Sequence, residues 1–122
     1  RIIFTGFVFG SGYKTLQQNA YAYVHATEVG GTHPALIEAM GYGNCVLALN
    51  TPENSEVVGD AALLFSDTED LSAKLEQVVG DEAVVEKYRA AGQSRVREKY
   101  SWDAITDQYE ELFRKLTERL GR

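Results

Sequence analysis

The feature that most constrains the fold is a continuous apolar run, Cys-Val-Leu-Ala-Leu at residues 45–49. It follows a segment with helical spacing at 34–41, and no polar residue interrupts it. A strand of this composition has both faces covered, as in a parallel sheet with helices on either side. The run therefore predicts a strand inside a parallel sheet.

Strands and helices alternate through the first half of the chain, which indicates an α/β fold with a parallel sheet. Pro34 suits the first turn of a helix, because its missing N–H is not needed there. Ser11 is a candidate N-cap for an earlier helix. The predicted strands span 2–5, 21–25, 45–49 and 61–65, and the predicted helices among them span 13–20 and 34–41.

Charge is distributed unevenly between the two halves of the chain. Residues 1–60 carry 7 charged side chains and 8 of the 11 glycines, whereas residues 61–122 carry 23 charged side chains and 3 glycines. The first pattern is typical of buried strands with tight loops, and the second is typical of amphipathic helices that face water. We therefore expect an α/β part over 1–66 and a helical part over 67–122.

The helical part contains clear start signals and one long apolar stripe. Asp67, Asp81 and Ser101 are candidate N-caps, because their side-chain oxygens can accept from free amides at a helix start. Apolar residues recur at helical spacing over 103–120, which predicts a long final helix with a wide apolar face.

Composition excludes several classes of protein. The formal net charge of −6 argues against nucleic acid as the main partner. The single cysteine, Cys45, cannot form a disulfide within the chain or a cysteine-based zinc site. No apolar run approaches the ~18 residues of a transmembrane helix, and no signal-peptide pattern is present.

The glycine-containing loop before residue 34 is the candidate binding site. In parallel α/β sheets, ligands bind beyond the carboxyl ends of the strands, where this loop is predicted to lie. Amides at a helix start favour an anion. Gly30 and Gly31 permit close approach of a phosphate or sugar to the backbone. Thr32 and His33 add side chains that can donate hydrogen bonds to such a ligand.

Glu38 lies about one turn into the same helix, and its carboxylate can accept hydrogen bonds from two hydroxyls, as a ribose requires. Amides for phosphate beside a carboxylate for a diol suit a sugar nucleotide. Structural alternatives stay open. Gly30-Gly31 also fits a simple tight turn, and the alternative for Glu38 is a solvated helix residue. The alternative for His25 is a structural histidine, and the alternative for His33 is an exposed loop residue.

Four segments in order resemble one protein family. The phrase Glu-Ala-Met-Gly-x-Gly at 38–43 is typical of group 1 (family 4) glycosyltransferases, and the chain resembles their C-terminal, donor-binding domain. Val-Gly-Gly-Thr-x-Pro at 29–34 is similar to a bacterial polysaccharide subgroup that includes rhamnosyltransferases. The segments that carry the resemblance are 4–8, 30–40, 59–65 and 100–102.

The resemblance implies a Rossmann-like parallel sheet with flanking helices, forming a partial C-terminal half of a GT-B fold. Residues 1–122 would be a single, truncated nucleotide-sugar-binding domain. It further implies a retaining hexosyltransferase that moves a sugar from a nucleotide-diphosphate sugar to an acceptor hydroxyl in polysaccharide or glycan synthesis. The donor is a substrate, and neither a cofactor nor a metal is expected.

The resemblance also assigns roles to individual residues. Glu38 falls on the family's ribose-binding glutamate, and the donor-binding set is Gly30, Gly31, Thr32, His33 and Glu38. Gly30 stands where the family has a first glutamate that contacts the donor sugar. Glu28, two positions earlier, is a weak candidate to replace it, so the catalytic residues stay unassigned.

The remaining expectations concern the parent protein. The chain starts at Arg1 within a strand-like run and without Met, which predicts a fragment that is inactive alone. The acceptor, a sugar or lipid-linked glycan, would bind a missing N-terminal domain. Strand 2–5 or helix 103–120 would offer a surface for homo-oligomers. We expect a cytoplasmic protein, with peripheral association at the inner membrane as an option. The alternative functions are a nucleotide-sugar epimerase of the same fold and a non-catalytic sugar-nucleotide-binding domain.

Overall fold

A three-stranded parallel sheet, in the order β1-β2-β3, forms the centre of the computed structural model, which describes residues 1–121. Helices flank the sheet, so the predicted Rossmann-like α/β class is confirmed. In chain order the elements are α1 (Gly10–Asn19), β1 (Ala22–His25), α2 (Pro34–Gly41), β2 (Cys45–Leu49), α3 (Pro52–Val58), β3 (Leu63–Phe65), α4 (Thr68–Gly80), α5 (Glu82–Lys99) and α6 (Trp102–Leu120).

The apolar run at 45–49 is the middle strand, β2, as predicted. It pairs with β1 on one side and with β3 on the other, and its first four residues are buried. Because alternate residues of a strand point to opposite faces, β2 supplies two separate cores. Val46 and Ala48 belong to one apolar cluster, and Cys45 and Leu47 belong to the other.

Helix α2 packs closely on α5 through a glycine. Leu36, Ala39 and Met40 of α2 are fully buried. A Cβ added at Gly92 of α5 would lie 3.5 Å from both the Cβ and the carbonyl oxygen of Met40. These distances are ordinary van der Waals contacts, so α2 and α5 pack closely here, and α2 is held by its buried inner face.

The predicted strand at 2–5 is wrong. Ile2, Ile3 and Phe4 are 83%, 69% and 94% exposed, and residues 2–5 pair with no strand among the described residues. A strand needs a partner for its backbone N–H and C=O groups, and β-rich composition does not provide one. The proposed oligomer contact through strand 2–5 loses its basis.

The start of α1 also differs from the prediction. The helix begins at Gly10 rather than near 13, so Ser11 lies inside it. The N-cap position is Phe9, which makes no side-chain capping hydrogen bond. A capping-type residue near a helix start therefore did not identify the cap here.

Helix α3 was not predicted, although its signals are present in the sequence. Thr51 precedes it, and the Thr51 hydroxyl oxygen accepts a hydrogen bond from the Asn54 amide at 3.2 Å. Pro52 occupies the first turn. The strands flanking this short helix also have narrower bounds than predicted, since β1 begins at Ala22 and β3 begins at Leu63.

The predicted N-caps of the helical part are confirmed. Side-chain oxygens of Asp67, Asp81 and Ser101 accept from amides in the first turns of α4, α5 and α6. Helix α6 has no buried residue. Its exposed apolar side chains are Trp102, Tyr109, Leu112, Phe113, Leu116 and Leu120.

The role of this α6 stripe in homo-oligomers stays a prediction.

Across the described part of the chain, no helix combines the length and apolar character needed to cross a membrane.

Candidate functional site

The loop between β1 and α2 lies at the carboxyl edge of the sheet, where the sequence placed the candidate site. β1 ends at His25, and α2 begins at Pro34. The Asn54 side-chain amide donates to the Thr27 carbonyl and to the Leu49 carbonyl, both at 3.0 Å. This buried side chain therefore ties the loop to the end of the neighbouring strand.

The amino end of α2 is open to solvent. Gly31, Thr32 and Pro34 are exposed. His33 occupies the N-cap position with extended backbone, and its side chain makes no capping hydrogen bond. Pro34 has no N–H, and the Leu36 and Ile37 amides donate to the His33 carbonyl, so within the described residues the Ala35 amide is the one in this first turn without a backbone acceptor. A free amide at a helix start favours an anion.

Gly30 and Gly31 differ in the space that is available for a side chain. A Cβ added at Gly30 would lie 2.5 Å from Cε1 of His33, and Gly30 has a φ of +155°. A Cβ added at Gly31 would meet nothing within 4 Å. Gly30 is therefore required by its packing against the His33 ring, whereas Gly31 leaves open space next to the helix start.

Two histidines lie side by side beneath this loop. The ring centroids of His25 and His33 are 4.9 Å apart. His25 is only 6% exposed, and its Nε2 has no hydrogen-bond partner in the described residues. Burial, and then the nearby His33, lower the pKa of His25 below its usual value of 6.5. His25 is thus a buried, neutral imidazole rather than a fully hydrogen-bonded structural histidine.

Glu38 is exposed, yet it is not a simple solvated helix residue. The Tyr13 hydroxyl donates to Glu38 Oε2 at 2.8 Å, and the Gln17 side-chain amide donates to the Tyr13 hydroxyl at 3.2 Å. Burial, followed by the hydrogen bond to Glu38, raises the pKa of Tyr13 above its usual value. The phenol therefore keeps the proton that it donates to the carboxylate.

Asn44 anchors this arrangement from the core. It is 1% exposed, and its Nδ2 lies 3.0 Å from the Gln17 carbonyl, 3.1 Å from Gln17 Oε1 and 3.1 Å from the Ala39 carbonyl. It therefore links α1 to the end of α2. Sequence reasoning missed Tyr13, Gln17 and Asn44. The spacing of Tyr13 and Gln17 places them on one helix face, but it does not reveal what that face contacts.

Glu28 is not brought to Glu38 by any contact. Its side chain is exposed and makes no hydrogen bond or ion pair within residues 1–121. No Lys or Arg occurs in the sequence between Lys14 and Lys74. The loop itself therefore offers backbone amides and His33, but no Lys or Arg, to meet negative charge on a ligand.

A shallow cavity of about 280 Å³ opens beside Glu38, between α2 and α5. Besides Glu38, it is lined by Ile37, Gly41, Tyr42 and Val96. Within the part of the chain that the structure describes, no group of three or more His, Cys, Asp or Glu side chains could hold a metal ion.

The loop, the open start of α2 and Glu38 all lie within the region that matches a known protein family. A family model described as glycosyl transferase-like matches residues 2–111. That match spans the whole sheet and α1 to α5, as well as most of α6. Membership indicates a general role in glycosyl transfer. The chain therefore belongs to the glycosyl transferase-like family.

Proposed function

We propose that this chain binds the donor of a glycosyltransferase, a nucleotide-diphosphate sugar, at the loop 28–33 and Glu38. The observation that carries the proposal is that Glu38, which accepts a hydrogen bond from Tyr13, lies on α2. The open start of this same helix directly follows the glycines. Four residues separate Pro34 from Glu38, about 6 Å of helix rise. An anion site and a hydroxyl-accepting carboxylate therefore share one short, rigid helix.

In this proposal the diphosphate lies against the amides of Gly31, Thr32 and Ala35, with His33 beside it. The helix dipole stabilises the negative charge. The ribose hydroxyls donate to Glu38, whose two oxygens offer about four acceptor positions. Tyr13 occupies one of them, so the carboxylate still has acceptors for a diol.

The reaction itself follows the family resemblance. The bond between the anomeric carbon and the diphosphate oxygen breaks, and a bond from that carbon to the acceptor oxygen forms with retention of configuration. The acceptor hydroxyl gives its proton to the departing diphosphate oxygen, and the electron pair of the broken bond leaves with the nucleoside diphosphate. We propose that another domain supplies the acceptor, in polysaccharide or glycan synthesis, and that the 122 residues alone transfer no sugar.

The experiment is nucleotide binding by the full-length protein with Glu38→Ala. We expect the dissociation constant of the tightest-binding nucleoside diphosphate to rise about 10- to 100-fold, because hydrogen bonds to a charged group are lost. Calorimetric titration with uridine, guanosine, adenosine, cytidine and thymidine diphosphates measures it. Glu118→Ala on α6, which removes the same charge from an exposed helix, is the matched control. Unchanged affinity for every nucleotide in the Glu38 variant would remove Glu38 from the site.

One observation favours a second candidate, a non-catalytic sugar-nucleotide-binding domain. Gly30 stands where the resemblance expects a glutamate, and a Cβ added there would displace the His33 ring. Sugar transfer, or hydrolysis of the donor, by the full-length protein would argue against this candidate. Binding of the donor without either activity would favour it over the enzyme.

A further inference from the structure

A line of hydrogen bonds runs from the core to the Glu38 carboxylate. Asn44 Nδ2 donates to Gln17 Oε1 at 3.1 Å, Gln17 Nε2 donates to the Tyr13 hydroxyl at 3.2 Å, and that hydroxyl donates to Glu38 Oε2 at 2.8 Å. Every donor faces the same way, toward the negative charge. Hydrogen bonds aligned in this manner polarise and strengthen one another.

The fixed end of this line is deeply buried, whereas the other end is open. Asn44 is 1% exposed and Gln17 is 7% exposed, but Glu38 is exposed. Within residues 1–121 the Glu38 carboxylate accepts no side-chain hydrogen bond besides the one from Tyr13. The line therefore fixes the carboxylate through Oε2 and leaves Oε1 for a ligand.

We propose that Tyr13 is a positioning residue that orients Glu38 to receive the ribose hydroxyls of a nucleoside diphosphate, an inference that rests on the proposed function. A free glutamate side chain loses rotamer freedom when a ligand fixes it, and this opposes binding. Tyr13 restricts that freedom before the ligand arrives. Pre-organisation of this kind raises affinity without any new contact to the ligand.

The test compares two ligands in the full-length protein with Tyr13→Phe. The first is the nucleoside diphosphate that binds most tightly, and the second is its 2′,3′-dideoxy counterpart, which has no ribose hydroxyl for Glu38. We expect the variant to bind the first about 3- to 10-fold more weakly, because the ligand must then immobilise the freed Glu38 side chain. We expect the affinity for the dideoxy compound to stay unchanged.

A double variant separates positioning from a general effect on the fold. In a protein that already carries Glu38→Ala, adding Tyr13→Phe should cause no further loss, because the acceptor of the Tyr13 hydroxyl is then already absent. Tyr88→Phe on α5 is the matched control, since its hydroxyl makes no hydrogen bond to the described residues and the same atom is removed. If Tyr13→Phe does not fold, Gln17→Met removes the donor to Tyr13 and should give the same ligand selectivity with a smaller loss.

The other outcomes of these binding measurements test the positioning role of Tyr13 and the proposed function separately. Equal or tighter nucleotide binding by Tyr13→Phe, or an equal loss for both ligands, overturns the positioning role. Weaker binding by Glu38→Ala in the same experiment preserves the proposed function. Unchanged binding by Glu38→Ala itself shows that the proposed function has failed, and the role of Tyr13 fails with it.

Discussion

The turns on the two sides of α2 differ in almost every physical respect. The turn before the helix exposes Gly31 and Thr32 and has no side-chain cap. The turn after it contains Asn44, which is 1% exposed and within hydrogen-bond distance of three acceptors. One end of the helix is therefore tied to the core, and the other is open to solvent.

This difference shows how a short helix can serve as a rigid binding element. The inner face of α2 packs on β2 and α5, so the helix that carries the proposed site is supported from behind. Binding sites work best when their groups sit on elements that are fixed by packing behind them. Four predictions follow from this difference. They concern variants on the buried face of α2, at its anchored end, and in the loop and strand that precede it.

Loss of packing on the buried face should have the largest effect. Met40→Ala removes a fully buried side chain and should lower the free energy of unfolding by about 2–5 kcal/mol. Leu112→Ala, at a side chain that is 49% exposed, should cost less than about 1 kcal/mol. Urea denaturation measures both, and similar losses would contradict the difference in burial.

Removal of the polar anchor should come next. Asn44→Ala leaves the Gln17 and Ala39 acceptors without their buried donor, and we expect a loss of about 1–3 kcal/mol. Asn19→Ala is the control, because the exposed Asn19 amide donates only to the Thr15 carbonyl. Its expected cost is within about 0.5 kcal/mol. A stable Asn44→Ala protein would show that the trailing turn is not what ties α1 to α2.

The two glycines of the leading turn should respond differently to alanine. Gly30→Ala brings a Cβ into the His33 ring at an unfavourable φ, and should cost about 1–3 kcal/mol. Gly31→Ala meets open space and should change stability by less than about 0.5 kcal/mol. Thermal unfolding of both variants compares them, and equal stability would mean that the His33 ring moves aside freely.

The smallest effect should be a pH dependence that originates at His25. Burial lowers the pKa of His25, so the unfolded chain takes up a proton before the folded one does. Stability should therefore fall as the pH drops below the usual histidine value of 6.5 and level off below the folded pKa. His25→Gln should flatten this slope, and His33→Asn should keep most of it. An unchanged slope in His25→Gln would assign the dependence to another group.

Local patterns predicted the parts of the fold that local forces decide. The apolar run of β2, the bounds of α2 and the caps Asp67, Asp81 and Ser101 all depend on neighbouring residues in the sequence. Residues 2–5 have an equally β-rich composition, but a strand exists only where a partner pairs with it. The sequence alone could not show that residues 2–5 lack a strand partner within residues 1–121.

The candidate site was predictable to a similar degree. Gly30, Gly31 and Glu38 stand out because glycines before a helix and a carboxylate one turn inside it are adjacent in sequence. The hydrogen bond from Tyr13 to Glu38 joins residues 25 positions apart. It depends on how α1 lies against α2, which spacing alone does not determine.

The most direct test of donor binding is a crystal structure of the full-length protein with its tightest-binding nucleoside diphosphate. We expect the diphosphate to lie against the amides at the start of α2. We expect a ribose hydroxyl to lie within hydrogen-bond distance of Glu38. Tyr13 should still donate to the same carboxylate. A nucleotide bound at another surface, with Glu38 contacting Tyr13 alone, would contradict it.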